Sequence, residues 1–190
     1  MDHKYQENET FTGVDFAERA PDADAYEDCT FQNCNFSNVD LSGLKFSACR
    51  FESCDLSMAT LGETALQEVE FSNCKLMGLR FDECRTFLLG FQFTDCVLNF
   101  SSFYNLKIPN TSFQACSLVE VEFIGADLSG AVFDECDLSG AVFENTVLER
   151  ADFRLASHFS IDPELNRIGR AKFSSTGLAG LLEKYNLVIE

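Results

Sequence analysis

The chain has 190 residues, 31 acidic and 14 basic, for a formal charge of −17. That balance excludes a protein that neutralises nucleic-acid phosphates with a basic stripe, and no apolar run is long enough for export or for a membrane-spanning helix. Nine cysteines accompany two histidines without any Cys-x-x-Cys spacing, which argues against a zinc site and for reduced thiols in a cytoplasmic protein.

Residues 1–28 form an irregular lead. Phe11 and Phe16 stand five apart, and Pro21 and Tyr26 keep the spacing, but the stretch from Ala17 to Ala25 with Pro21 and Asp22 is expected to loosen the first winding. From Phe31 a bulky apolar residue falls on every fifth position, through Phe36, Leu41, Phe46, Phe51 and Leu56 to Phe81. A period of five fits neither an α-helix nor a β-strand. A second inward position lies two residues before each centre and takes small side chains such as Val14, Ala59 and Thr64. All nine cysteines occupy it, where a free thiol behaves as a compact buried group. Cys84 does so before a would-be centre at Thr86.

A five-residue unit with two inward side chains buries nothing alone, so units must be wound and stacked. Phe11, Phe31, Phe51 and Phe71 are twenty apart, and so are Cys34, Cys54 and Cys74. Both ladders give four pentapeptides per coil. Between Cys84 and Phe93 two extra residues enter, readable as a corner bulge or as an exposed apolar contact through Phe87 or Leu89. The rhythm resumes at Phe93 and alternates Phe with Leu or Ile to Phe153, which puts the phenylalanines on two opposite sides. With coils about 4.8 Å apart, about seven coils make a filled rod of roughly 34 Å.

Between Lys107 and Arg150 there is no basic residue, while Glu120, Glu122, Asp127, Asp134, Glu135, Asp137, Glu144 and Glu149 project outward. Solubility accounts for some of this charge. A duplex, however, carries one negative charge per about 1.7 Å of axis, so a rod of this length and charge can imitate DNA towards a protein whose basic groove holds it. Asp127, Asp134, Glu135, Asp137 and Glu144 are the candidate mimic carboxylates. No catalytic constellation can be assembled; His3 and His158 read as a tail and a boundary residue, and no cofactor or metal is implied.

After residue 158 the period ends, dividing a solenoid (1–158) from a cap (159–190). Asp162-Pro163-Glu164 has the signals of a helix start. Ser175 can cap a second helix with an apolar stripe of Leu178, Leu181, Leu182 and Tyr185, followed by a strand at Leu187-Val188-Ile189. These six apolar residues, Leu178, Leu181, Leu182, Tyr185, Leu187 and Ile189, exceed what a lid needs and predict an isologous homodimer.

The units Ala126-Asp127-Leu128-Ser129-Gly130 and Cys136-Asp137-Leu138-Ser139-Gly140 resemble the pentapeptide-repeat family. That resemblance implies an all-β solenoid, a right-handed quadrilateral β-helix, here with a short α-helical C-terminal cap. The run Ile161-Asp162-Pro163-Glu164-Leu165-Asn166-Arg167-Ile168 followed by Leu187-Val188-Ile189 is similar to the subgroup that interacts with DNA gyrase, including the Qnr proteins. The subgroup implies a dimeric, non-enzymatic DNA mimic that binds DNA gyrase or topoisomerase IV and inhibits it or shields it from quinolones or peptide toxins. Many Qnr proteins carry projecting loops associated with protection, which this chain lacks. The alternative is a repeat scaffold for a different protein partner. A stacked core makes one firm demand: Phe113→Asp, by burying an unpaired carboxylate, should abolish the cooperative thermal transition seen by circular dichroism.

Overall fold

A computed structural model of the protein describes residues 4–188. Strands β1 (Tyr5–Glu7), β3 (Ala25–Glu27), β5 (Lys45–Ser47) and β7 (Ala65–Gln67) form one parallel sheet. A longer parallel sheet stacks β2 (Thr10–Thr12), β4 (Thr30–Gln32), β6 (Arg50–Glu52), β8 (Val69–Ser72), β9 (Phe91–Thr94), β10 (Ser112–Gln114) and β11 (Val132–Asp134). Single bridges such as Asp55 to Lys75 and Glu122 to Val142 tie the remaining sides. The result is an all-β, four-sided solenoid. Its windings number about six, against the seven coils expected.

We name the sides by their inward residues: first (Phe11, Phe31, Phe51), second (Phe16, Phe36, Leu56), third (Leu41, Leu61, Phe81) and fourth (Tyr26, Phe46, Leu66). Register within each is as expected: Phe31 pairs with Phe51, and Phe71 with Phe93 across the 22-residue step. Phe93, Phe113 and Phe133 stack at 5.2 and 5.1 Å with nearly parallel planes, while Phe103 and Phe123 meet them edge-on from the third side. Both geometries are favourable for aromatic quadrupoles. Corner residues two beyond most centres adopt left-handed φ, which suits the asparagines and glycines there. At Gly125 a Cβ would collide with Asn105 Oδ1 in the coil before.

The corners explain the cysteines more specifically than compactness does. Some corners are closed by the backbone, as where Ala59 N donates to Leu56 O and Ala131 N to Leu128 O, each at 3.0 Å. Where extended strand precedes the corner, among the described residues that bond is missing and an N–H and a C=O face inward unpaired. Cys54 from the next coil fills the gap: its Sγ accepts from Cys34 N at 3.4 Å and lies 3.2 Å from Phe31 O. Cys74 repeats the arrangement on Cys54 N and Phe51 O. Near the end Asn166 takes the same place with a full amide, accepting from Thr146 N at 2.9 Å and donating to Phe143 O at 2.8 Å. Burial pushes the Cys49 and Cys84 thiols up to about 12, so both stay protonated at neutral pH, and Cys49 Sγ lies 3.4 Å from Tyr26 O.

The two-residue slip is a local excursion. Arg85 N still bonds Thr64 O, and Gly90 N bonds Leu66 O at 3.0 Å, but Thr86, Phe87 and Leu88 between them are exposed. The fourth side therefore lacks one inward residue above Leu66. Phe91, in a corner position held by Cys49 and Val69 in earlier coils, turns its ring into the vacancy, 5.2 Å from both Phe81 and Phe93. The excursion also ends the shorter sheet at β7.

The expected α-helical cap does not form. Residues after Asp162 instead lie on the last coil: Arg167 bridges Val147, Lys172 bridges Asp152, and Phe173 stacks on Phe153 at 5.3 Å. Continued coil stacking outweighs the local helix-start signal. Beyond it only 3-10 segments, Leu178–Leu181 and Glu183–Tyr185, appear, in a stretch where Gly177 and Gly180 disfavour an α-helix. Leu187 and Val188 are not in a strand, and Ile189 lies outside the described residues. If thiols close the open corners, Cys54→Val should cost about 1–3 kcal/mol in a denaturant melt, by stranding Cys34 N–H and Phe31 C=O. Cys54→Ser should cost less.

Candidate protein-binding surfaces

The five candidate carboxylates are spread around the last coils. Asp134 pairs with Gln114 on the first side, and Glu135 stands exposed at the corner after it. Asp137 bridges Ser117 and Ser157 on the second side, Glu144 follows Phe143 on the third, and Asp127 bridges Lys107 and Val147 on the fourth. Two of them also have local partners. Asp127 Oδ1 accepts from Ser129 N at 3.0 Å and Ser129 Oγ at 2.6 Å. Asp137 does the same with Ser139, and the His158 ring lies 2.8 Å away. The serine hydrogen bond first, and His158 after it, hold the Asp137 carboxyl below the ordinary carboxylate range.

Stacking sorts charge by side in a way that density along the chain does not show. The third side and its corners gather Asp40, Glu63, Asp82, Glu83, Glu122 and Glu144. The base there is engaged: Arg80 grips Asp82 at 2.7 and 3.0 Å. The adjoining fourth side mixes Lys45, Arg85, Lys107, Arg150, Arg167 and Arg170 with Glu27, Asp28, Glu68, Asp127 and Glu149, and its Arg85 reaches Glu63 across the corner at 3.6 Å. The signal was present in the sequence as residue position within the twenty-residue coil, once the slip of two is allowed for.

A second surface is the C-terminal end. Leu178, Leu182, Tyr185, Leu187 and Val188 are exposed, Val188 by 89%, while Leu181 packs partly against the core. The segment is fixed to the last coil by Ile161 N donating to Gly180 O at 2.9 Å, and by Lys184. Lys184 Nζ lies 2.7 Å from both Asp162 Oδ1 and Glu164 Oε2, and Tyr185 Oη donates to Glu164 at 3.2 Å. Lys184 is the leading cause that lowers the pKa of Asp162 and Glu164, and Asp162 is the leading cause that raises that of Lys184.

Among the described residues no group of three or more His, Cys, Asp or Glu could hold a metal ion, and no helix is long and apolar enough to cross a membrane. The geometry defines a four-sided parallel β-solenoid with a polar, charge-sorted surface. The model of the pentapeptide repeat region matches residues 24–92 and 44–123, and that of the eight-copy pentapeptide repeats matches 116–154. The chain belongs to the pentapeptide-repeat proteins. No curated protein sequence matches it. Among solved structures it is similar to a trypsin-treated variant of QnrB1, a plasmid-mediated fluoroquinolone resistance protein, with 19% identity, TM-score 0.63 and coverage of 99% of both chains. Full-length QnrB1 matches with 20% identity and TM-score 0.58, over 96% of this chain and 100% of that one.

Depressed carboxylates contribute to the cap above their ordinary range and lose that contribution as pH falls through their lowered values. The raised Lys184 contributes below its ordinary value and loses that only as pH rises through the raised one. Protection from hydrogen exchange over residues 178–188, taken relative to the intrinsic amide rate at each pH, should therefore be highest between about pH 5 and 10 and should fall near pH 3. Lys184→Met should flatten that profile.

Proposed function

We propose that this chain is a non-enzymatic protein that presents a DNA-like charge surface to a type II topoisomerase, DNA gyrase or topoisomerase IV, inhibiting it or shielding it from quinolones or peptide toxins. The observation that carries this reading is the third side, which gathers Asp40, Glu63, Asp82, Glu83, Glu122 and Glu144 while its Arg80 is paired with Asp82. Carboxylates distributed along one side of a filled rod offer a basic groove negative charge along its length, as a duplex does. The full-length likeness to QnrB1 supports the reading at the level of the fold. Of the candidate carboxylates Glu144 lies on the acidic side itself, while Asp134 and Glu135, Asp137 and Asp127 lie on the first, second and fourth sides, where only a groove that wraps around the rod would meet them.

The exposed C-terminal apolar residues support an isologous dimer through Leu178, Leu181, Leu182, Tyr185, Leu187 and Ile189, which would extend the charged rod on both sides of a two-fold axis. A scaffold for a different protein is the second reading. It is favoured by the exposed Phe100 and Tyr104, which a purely electrostatic imitation of DNA does not use.

A gyrase supercoiling assay with and without a fluoroquinolone separates inhibitor, protector and bystander; no effect at excess protein would favour the scaffold. Complexation should weaken as salt rises. The pair Glu122→Lys and Glu144→Lys should weaken it at least roughly tenfold, and unchanged binding would remove the electrostatic mechanism. Light scattering should give twice the chain mass at micromolar concentration, and Leu182→Asp with Leu187→Asp should reduce it to a monomer.

A further inference from the structure

Besides Phe87 and Leu88 in the excursion, the rod exposes three large apolar side chains near its middle that its own packing does not require. Met58, Phe100 and Tyr104 are 61%, 54% and 45% exposed. Met58 and Phe100 also occupy left-handed corners, with φ of 59° and 63°. Bulky residues are strained in that conformation, and in the same corner column Asn38, Gly78 and Gly140 obey the preference that Met58, Phe100 and Glu120 break. A locally unfavourable residue that gains no burial points to a role outside the monomer's own stability.

Backbone bonds from Met58 N to Met77 O, Gly78 N to Asn99 O, and Phe100 N to Val119 O stack Met58, Gly78, Phe100 and Glu120 in one column. A Cβ at Gly78 would collide with Met58 Sδ, so the methionine lies across the glycine towards the coil that carries Phe100. Tyr104 sits four residues on, at the start of the acidic third side. Its N–H donates to Ser102 Oγ at 3.3 Å, and that hydroxyl donates to Glu122 at 2.8 Å. The guanidinium of Arg80, one coil before Ser102, is held by Asp82. Exposed apolar surface thus adjoins carboxylates that lack a competing cation.

We propose that Met58, Phe100 and Tyr104, with Glu120 and Glu122, form a docking patch for a cationic amphipathic segment of a protein partner. Apolar anchors of that segment seat on Met58 and the aromatic rings. Its Lys or Arg side chains meet the carboxylates and stack on the ring faces. Charge complementarity selects this occupant, since Glu120 and Glu122 border the patch and the acidic solenoid of a second copy would bring acid against acid there, unlike the C-terminal end, where acidic and basic residues balance. The proposal goes beyond the topoisomerase reading, because it assigns part of the binding to apolar contact and does not depend on the partner's identity.

The test uses two labelled peptides of equal positive charge, one of Arg, Leu and Trp with an amphipathic pattern, the other with Ser and Gly replacing Leu and Trp. Fluorescence anisotropy at physiological salt should show the amphipathic peptide bound at least roughly tenfold more tightly. Phe100→Asn with Tyr104→Ser should remove that difference without changing the protein's charge. Phe100→Asn alone should melt at or above the parent temperature, because Asn suits the left-handed corner. Equal binding of the two peptides, an unaltered preference in the double variant, or a clearly lower melting temperature for Phe100→Asn would each overturn the proposal. A null result in the supercoiling assay would leave this outcome unaffected.

Discussion

In-register stacking of each coil on the one before is the constraint on which everything else rests. A parallel ladder supplies backbone partners only between coils, so a side chain at a given position must tolerate its counterpart directly above and below it. Phenylalanine columns meet that demand by stacking within a side and meeting edge-to-face across the core. At corners the same demand is polar: an inward N–H and C=O without a backbone partner must be served by a small donor and acceptor from the next coil. Cys54 and Cys74 do this with sulfur, and Asn166 with an amide.

Interruptions of the register are repaired locally because a solenoid transmits strain only to neighbouring coils. The excursion after Arg85 removes one inward residue from the fourth side, and the Phe91 ring occupies the space that would otherwise remain a void. At the C-terminal end the described residues close on the last coil. There Phe159 and Phe173 continue the aromatic packing of Phe153, and the Lys184 bridge to Asp162 and Glu164 secures the segment that follows.

The same stacking organises the outer surface. Outward side chains also stand in columns, so acids placed on one side of several coils gather there, while the fourth side carries acids and bases together. Surface ion pairs between coils, such as Arg50 with Glu70, add little to stability because both partners are exposed. Their effect is to set where potential remains uncompensated, and this differs most between the third and fourth sides. Exposed Phe100 and Tyr104 lie at the border of the acidic side, which gives that surface chemistry beyond charge.

The sequence by itself determined the period, the inward residues, the number of sides and the place of the slip, because each depends on spacing within one or two coils. Phe31 over Phe51 and Phe71 under Phe93 could be paired by counting alone. The cysteines were legible as buried, but not as corner bridges, since the open corner becomes visible only when two coils are superposed. Helix-start residues at Asp162-Pro163-Glu164 misled because a local capping signal competes with Phe173 stacking on Phe153, a contact made across a full turn. Charge read along the chain placed the acid near the C-terminus. Only the closed coil decided which carboxylates share a side, because residues twenty apart become neighbours while adjacent pentapeptides face in different directions.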